Sequence, residues 1–190
     1  VFHSISAFCN AGFSTFSGNL VRFRDDLPTN VVISCLIIAG GLGFTVIKDL
    51  QENIKMRFDP AARRKITLKV QTKTVLWMSG LLIVLGALAF YILEKNASFA
   101  NFSFKGKVLA SVFQSVTART AGFNSCSIAG LSGASLLIMI VLMFIGGSPG
   151  STAGGVKTTT VSVLLSTLVS EFKGRENTEM FKRTIPSGVI

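Results

Sequence analysis

The chain has 190 residues, of which 49% are hydrophobic and 15% charged, and its mean hydropathy is +0.58. This balance excludes a disordered chain and an ordinary soluble domain, in which about a quarter of the residues are charged. The formal net charge is +10. A basic excess of this size can serve binding to nucleic acid, binding to anionic lipid, or the orientation of a protein in a membrane. The sequence therefore predicts an all-α membrane protein, and the positions of the charges decide among the three roles.

The termini and the cysteines carry little functional signal. The chain begins at Val1 without the charged segment of a signal peptide, and we expect it to be part of a longer protein. Its three cysteines lie in apolar or small-residue stretches and form no C-x-x-C pair: Cys9, Cys35 and Cys126. A zinc site needs clustered thiolate or imidazole ligands. We therefore interpret the cysteines as small apolar residues and expect no metal site built from side chains.

Three apolar regions are candidates for membrane spans. Residues 31–47 are uncharged and just long enough for a short membrane helix, and residues 75–93 approach the usual length of about 20 residues. Residues 131–168 are too many for one straight crossing and contain a Gly-rich interruption at 146–155. We predict a span in each region, the third of them broken.

Basic residues indicate which connections lie inside the cell. Eight of the 19 Lys and Arg residues fall within residues 48–73 and four within 171–186, whereas 94–107 holds three. Because Lys and Arg are retained on the cytoplasmic side, the first two segments are predicted inside and the third outside. Residues 108–130 then begin and end outside, and their apolar part, 108–118, is long enough for a helix but too short to cross. We predict a re-entrant helix and loop, which is tolerated at membrane depth only when buried in protein or facing a pore.

The start of the chain repeats this arrangement. Residues 2–7 (FHSISA) match residues 113–118 (FQSVTA), and after a one-residue offset residues 11–13 and 121–123 both read Ala-Gly-Phe. Each copy precedes an outer loop and an inward span. The repeated unit of span, re-entrant helix, loop and span is typical of transport proteins.

Three motifs carry a resemblance to a known family: SAFCNAGFS at 6–14, TARTAGFN at 117–124 and GSPGSTAGGVK at 147–157. With these in this order, the sequence resembles the TrkH/KtrB (Trk/Ktr/HKT) potassium transporter family over essentially its whole length, and the bacterial KtrB-like subunits in particular. Proteins of that family place four such units around one pore, in a potassium-channel-like arrangement.

The resemblance implies a domain organisation. Residues 1–50 would be the pore helix, filter loop and inner helix of unit two, and 51–73 a cytoplasmic basic linker. Residues 74–170 would form unit three, and 171–190 a cytoplasmic linker toward unit four. Within unit three, the resemblance implies an outer helix at 74–93, a pore helix at 107–118, a filter at 119–124 and an inner helix at 131–170 broken by the loop 146–155.

The two Ala-Gly-Phe loops are candidate selectivity filters. A dehydrated potassium ion needs rings of backbone carbonyls, and a glycine lets the chain turn its carbonyls toward the ion. A single Ala-Gly-Phe triplet is more often a helix terminator, but two matched copies on the outer side favour a filter. Each loop has one Gly where potassium channels have T-V-G-Y-G, which leaves a sodium-selective or non-selective cation transporter as the alternative. The predicted ion-binding residues are Asn10, Ala11, Gly12, Phe13, Thr120, Ala121, Gly122 and Phe123.

Two charged residues near these motifs have open roles. Arg119 could repel ions at the filter, but a charge this deep needs a partner, so we expect it to support the filter through carbonyls or a carboxylate from a missing unit. Lys157 could enter the pore, extend to the membrane surface or pair with an acid.

The Gly-rich interruption is a candidate gate. It is not a nucleotide-binding loop, because Val156 stands where G-x-x-x-x-G-K-(S/T) requires Lys. The resemblance implies an intramembrane loop below the filter that gates the pore; the alternative is a passive kink, since Pro and Gly disfavour a continuous helix. The gate-loop residues are Gly146, Gly147, Ser148, Pro149, Gly150, Ser151, Thr152, Ala153, Gly154 and Gly155.

The sequence therefore predicts potassium uptake and no enzymatic activity, since the spans hold no acid, base or nucleophile pair. The resemblance implies a homodimer in the bacterial inner (plasma) membrane, with K⁺ as substrate, Na⁺ as a candidate coupling ion and no covalently bound cofactor. It also implies contacts with membrane lipid and a KtrA/TrkA-like cytoplasmic nucleotide-binding regulatory subunit, and none with nucleic acid. A membrane-bound regulator or receptor that binds through the basic segments is a remote alternative, because it leaves both Gly loops unexplained.

Overall fold

The computed structural model describes residues 1–58, 68–174, 179–180 and 183–184. Over these residues the helices are joined by loops, and the extended structure consists of one isolated bridge between Ile145 and Val156 and one short ladder, in which β1 (Glu179–Met180) pairs antiparallel with β2 (Arg183–Thr184). The predicted all-α fold is confirmed. The helices are α1 (Phe2–Phe8), α2 (Leu27–Leu42), α3 (Phe44–Phe58), α4 (Val70–Glu94), α5 (Phe104–Thr117), α6 (Gly133–Phe144) and α7 (Thr158–Phe172).

The first predicted span differs from the observed helices. The Asp26 carboxylate accepts the Thr29 N–H at 3.2 Å and begins α2 several residues before the predicted start. Helix α2 then ends at Leu42, because Gly43 adopts φ 81°, and α3 continues at an angle of 101°. Residues 31–47 are therefore parts of two helices and not one straight span.

The predicted linker 51–73 is helical at both ends, since α3 extends to Phe58 and α4 begins at Val70. The two helices are tied together by Asp49, whose buried carboxylate accepts the Lys69 N–H at 3.1 Å. This bond satisfies a backbone donor at the start of α4 that has no partner within the helix. The central residues of the linker, 59–67, lie outside the described part of the chain.

Helix α4 is the one helix among the described residues that is long and apolar enough by itself to cross a membrane, and the bent α2–α3 pair could be a second span. The C-terminal end of α4 is tied to α6. Glu94 is fully buried, and its carboxylate accepts hydrogen bonds from Ser98 N at 3.2 Å, Ser132 N at 2.9 Å and Ser132 Oγ at 2.7 Å. Ser132 is the N-cap of α6, so the negative charge lies at the positive end of that helix.

The two copies of the repeat share one apolar core. It joins residues of α1, α2 and the loop between them with residues of α5 and the loop that follows: Ala7, Leu20, Ile33, Ile37, Phe113, Val116, Ala121 and Phe123. A second core lies within the later copy, between α4 and α6. The shared core fixes the two Ala-Gly-Phe loops relative to each other.

Gly86 allows α4 and α5 to pack closely. A Cβ at Gly86 would collide with Ser115 Oγ and lie 2.9 Å from Leu142 Cδ1, whereas a Cβ at Gly80 on the same helix meets nothing within 4 Å. We predict that Gly86→Ala in the complete protein lowers the free energy of unfolding by about 1–3 kcal/mol through overpacking. Gly80→Ala should leave it unchanged or raise it by up to about 1 kcal/mol through helix propensity. Thermal unfolding in detergent measures both, and equal midpoints would contradict the close packing at Gly86.

Candidate functional site

The two Ala-Gly-Phe loops have the same backbone geometry. Each follows a short helix, α1 or α5, and each enters the left-handed region twice. The φ angle is 50° at Asn10 and 72° at Gly12, and it is 67° at Thr120 and 81° at Gly122. Left-handed dihedrals at alternate residues turn the carbonyls away from their helical directions. The repeat in the sequence is therefore also a repeat in the structure.

A buried hydroxyl on each short helix holds the end of the loop that follows. Ser6 Oγ donates to the Phe13 carbonyl at 2.9 Å, and Thr117 Oγ1 donates to the Phe123 carbonyl at 2.7 Å. Ser6 and Thr117 occupy equivalent positions of the repeat and both are buried. The same bond in both copies fixes the carbonyl of the residue after the glycine.

The first copy has one residue more than the second, and this extra residue lies in the turn at the end of α1. The Ala11 N–H donates to the Ser6 carbonyl at 2.9 Å, whereas the Ala121 N–H donates to the Thr117 carbonyl at 3.0 Å. The first turn therefore contains one residue more than the second. Both loops regain the same register at Ala-Gly-Phe.

The loops meet at their glycines. A Cβ at Gly12 would lie 2.6 Å from the Ala121 carbonyl oxygen and 2.8 Å from Gly122 Cα, and a Cβ at Gly122 would lie 3.2 Å from Gly12 Cα. Only a residue without a side chain fits at this approach. The structure thus brings the two sets of sequence-predicted filter residues side by side.

The two phenylalanines of the repeat have different surroundings. Phe123 is fully buried in the core shared by the two copies, whereas Phe13 is 70% exposed. The difference follows from packing, because Phe123 lies in the core that the two copies form together.

The predicted gate loop, residues 146–155, is closed at its base by backbone hydrogen bonds. The Gly146 N–H donates to the Val156 carbonyl at 3.0 Å, and the Val156 N–H donates to the Phe144 carbonyl at 2.9 Å. A Cβ at Gly146 would collide with the Gly154 carbonyl oxygen. Glycine at this position is therefore required by the close approach of the two strands of the loop.

The gate loop docks on the open end of α2. The Ser148 N–H donates to the Gly41 carbonyl at 3.0 Å and the Thr152 N–H to the Gly40 carbonyl at 3.2 Å, while Ser148 Oγ bonds the Leu42 carbonyl. In return, the Phe44 N–H donates to a loop carbonyl, that of Gly150, at 3.2 Å. The last carbonyls of a helix have no partner within it, and here the loop supplies one.

The gate loop also contacts both Ala-Gly-Phe loops. The Asn10 amide nitrogen donates to Thr152 Oγ1 at 2.9 Å, and Thr152 Oγ1 donates to the Phe8 carbonyl at 3.1 Å. The Gly154 N–H donates to Thr120 Oγ1 at 3.1 Å. The three sequence motifs, which lie far apart along the chain, therefore form one connected site.

Arg119 is buried beside this site but does not bond a filter carbonyl. Its Nη2 donates to Ser79 Oγ on α4 at 3.2 Å, and its buried Nε has no partner in the described part of the chain. Among the described residues, no acidic side chain forms an ion pair with it. Lys157 Nζ donates to the Ala153 carbonyl of the gate loop at 2.9 Å, and does not pair with an acid in the structure described.

Several residues of the site were not predicted from the sequence, because no recognised motif gives them a role. Gly40 and Gly43 stand in the sequence GGLG at 40–43, and a run of this kind also suits close helix packing. A Cβ at Gly40 would collide with the Phe8 carbonyl, and one at Gly43 would lie 2.7 Å from the Pro149 carbonyl. The available signal for Ser6 and Thr117 was the repeat itself, which keeps a hydroxyl at the same position of each short helix.

The comparison with protein families agrees with this geometry. The family model TrkH, cation transport protein, matches residues 1–187. The chain belongs to the TrkH family. The family resemblance identified from the three motifs is confirmed, and the family is one of cation transport proteins.

Relatives within the TrkH family match the chain along nearly its whole length. The potassium/sodium uptake protein NtpJ of Enterococcus hirae is 39% identical over 191 residues, which are 100% of this chain and 40% of the relative. The Ktr system potassium uptake protein B of Bacillus subtilis is 38% identical over 192 residues, covering 100% of this chain and 41% of the relative. The chain thus spans about two fifths of the length of these curated relatives.

A solved structure shows the same fold. The crystal structure of the potassium transporter TrkH from Vibrio parahaemolyticus matches with a TM-score of 0.75, at 20% sequence identity, and covers 98% of this chain and 39% of that chain. The helical arrangement described here is therefore a large part of the TrkH architecture.

Gly146 and Gly154, which lie opposite each other at the base of the gate loop, allow its closure to be tested. We predict that Gly146→Ala in the complete protein lowers the unfolding midpoint by several degrees, because its Cβ would collide with the Gly154 carbonyl oxygen on the other side of the loop. Overpacking of this kind costs about 1–3 kcal/mol of the free energy of unfolding. Gly154→Ala is the matched control, because a Cβ there meets nothing within 4 Å. Thermal unfolding in detergent compares the two, and a Gly146→Ala midpoint equal to that of the control would refute the closed base.

Proposed function

We propose that the complete protein takes up potassium ions across the cell membrane through a backbone-carbonyl filter to which this chain contributes two of four loops. The observation that carries the proposal is the pair of loops with matching left-handed dihedrals that meet at Gly12 and Gly122. The names of the relatives from Enterococcus hirae and Bacillus subtilis, which include potassium uptake, support potassium as the ion.

The filter residues would act through their carbonyls. Each filter replaces the water of the ion with carbonyl oxygens, while α1 and α5 direct the negative ends of their dipoles toward it. The hydroxyls of Ser6 and Thr117 would keep the carbonyls of Phe13 and Phe123 in fixed positions. The exposure of Phe13 supports a further unit of the protein on that side of the first loop.

Residues 146–155 would form the gate. The loop contacts both filter loops on one side and the end of α2 on the other, so it would obstruct a path that leaves the filter toward the cytoplasm. Opening would require the loop to leave α2. The role of Arg119 in this scheme is to support the second filter loop from behind, through Ser79 on the long helix α4.

We further propose that the protein works as a homodimer in the bacterial inner membrane, with a KtrA/TrkA-like nucleotide-binding regulatory subunit on the cytoplasmic side. The naming of relatives as members of a Ktr system supports a multi-component assembly. Sodium is proposed as a coupling ion, and no covalently bound cofactor takes part. The regulatory subunit and the lipid headgroups are proposed to bind the basic segment 48–73.

Potassium selectivity can be tested with Gly122→Ser in the complete protein. We predict that the wild type rescues a potassium-uptake-deficient bacterial strain at low external potassium, and that Gly122→Ser loses rescue or makes it sodium-sensitive. The reason is that a side chain at φ 81° and 3.2 Å from Gly12 Cα disturbs both loops. Growth at matched expression, with the regulatory subunit supplied, is the measurement.

Gly18→Ser is the matched control, because a Cβ at Gly18 meets nothing within 4 Å. Unchanged rescue and unchanged potassium preference in Gly122→Ser would remove this loop from the filter. Failure of a well-expressed wild type to rescue, with sodium flux present, would favour the second candidate function, a sodium-selective or non-selective cation transporter. The single glycine of each loop and the potassium/sodium name of the Enterococcus hirae relative favour that second candidate.

The gate role predicts a gain of flux on shortening the loop. Deletion of residues 149–153 removes Thr152 and its contacts with Asn10 and Gly40, so we expect basal rubidium flux in proteoliposomes to rise. The deleted protein must remain monodisperse in detergent for the comparison to count. Unaltered or reduced flux in such a protein would identify the segment as a passive kink.

A further inference from the structure

The residue that precedes Ala-Gly-Phe is unusual in both copies. Asn10 and Thr120 occupy equivalent positions, and both hold positive φ angles, 50° and 67°, without being glycine. Asparagine tolerates this region, but a β-branched residue such as threonine is a genuine outlier there. Such strain persists only where the surrounding structure enforces it, and it concentrates at functional sites. The repeat of this conformation in two copies indicates a shared requirement.

Both side chains bind the gate loop. The Asn10 amide donates to Thr152 Oγ1 at 2.9 Å, and Thr120 Oγ1 accepts the Gly154 N–H at 3.1 Å. The two partners lie two residues apart in the loop. Two equivalent filter positions, one from each copy, therefore hold neighbouring residues of one loop.

Thr152 is the centre of this connection. Its hydroxyl accepts from Asn10 and donates to the Phe8 carbonyl at the end of α1, while its N–H donates to the Gly40 carbonyl in α2 at 3.2 Å. One residue of the gate loop thus joins a filter loop, a pore helix and an inner helix. A valine has nearly the same shape as threonine but lacks the hydroxyl, so it would lose the contacts with Asn10 and Phe8 and keep the backbone bond.

We propose that Asn10 and Thr120 are latch residues that fasten the gate loop beneath the filter, and that Thr152 is the receiving residue of the loop. This inference rests on the proposed gate function and adds the means by which the filter and the gate are coupled. When the loop leaves, the Asn10 and Thr120 side chains lose partners at the inner end of the filter. A change in the filter that moves these side chains would in turn release the loop.

The test compares Thr152→Val with Thr152→Ser in the complete protein. We predict that Thr152→Val raises basal rubidium flux in proteoliposomes at least about fivefold, because it removes the hydrogen bonds with Asn10 and Phe8 and the loss of one ordinary hydrogen bond already shifts a two-state equilibrium by that factor. Thr152→Ser retains the hydroxyl and should return flux toward the wild-type value. Thr160→Val makes the same chemical change at an exposed position of α7 outside the loop and should leave flux unchanged.

Hydrogen exchange of residues 146–157 provides a second readout that does not depend on transport. Thr152→Val should raise exchange across this segment, and Thr152→Ser should not. If Thr152→Val does not yield monodisperse protein, Asn10→Gly serves instead, because glycine adopts φ 50° without strain and removes the amide donor. The same rise in flux and exchange is expected for it.

The outcomes separate the latch from the gate. If deletion of residues 149–153 raises basal flux above the wild-type value, but Thr152→Val changes neither flux nor hydrogen exchange, the latch is overturned and the gate is retained. Reduced flux in Thr152→Val also overturns it, because a purely structural contact would give that result. Absence of wild-type rubidium flux counts against the proposed function, and exchange then decides the latch by itself: protection that is lost in Thr152→Val and retained in Thr152→Ser supports it.

Discussion

The structure depends on one constraint: irregular backbone in a protein of this kind must find its hydrogen-bond partners within the protein or in a water-filled pore. A lipid interior supplies none, so each unpaired N–H or carbonyl is costly. The gate loop solves this by pairing its N–H groups with the terminal carbonyls of α2, at Gly40 and Gly41, while Phe44 pairs with the loop in return. The bend between α2 and α3 and the break between α6 and α7 are therefore one feature. Each segment of irregular backbone supplies the partners that the other lacks.

The repeat extends this solution to the filter loops. In both copies a short helix ends, a hydroxyl bonds the carbonyl after the glycine, and the backbone turns left-handed at alternate residues. The copies differ by one residue in the first turn, and the difference is confined to that turn. The two copies thus share the loop itself and its support. The proposed ion path requires this, because every unit of it would have to present the same carbonyl positions to one axis.

Much of this could be predicted from the sequence. The apolar runs and the distribution of basic residues predicted α4, α6 and a break near residue 146. The repeated Ala-Gly-Phe predicted the paired loops. The end of α2 at Leu42 could not be predicted, because its signal, Gly43, stands in a glycine run that also suits helix packing. The contacts of Thr152 with Asn10 and Phe8 could not be predicted either. They join residues more than a hundred positions apart, and no local propensity or periodicity reports such a contact.

The glycine content of the gate loop also determines how firmly it is held. Close approach at Gly146 and the bend at Gly43 exclude side chains, so the loop cannot gain stability from apolar packing at these points. Ordering a glycine-rich segment costs more conformational entropy than ordering other residues, and each hydrogen bond returns only about 1 kcal/mol net. Directional hydrogen bonds are therefore a main source of the loop's attachment to α2. The proposed gate requires that these bonds hold the loop only moderately, because a partner that binds the released state a few kcal/mol more tightly can then reverse the equilibrium.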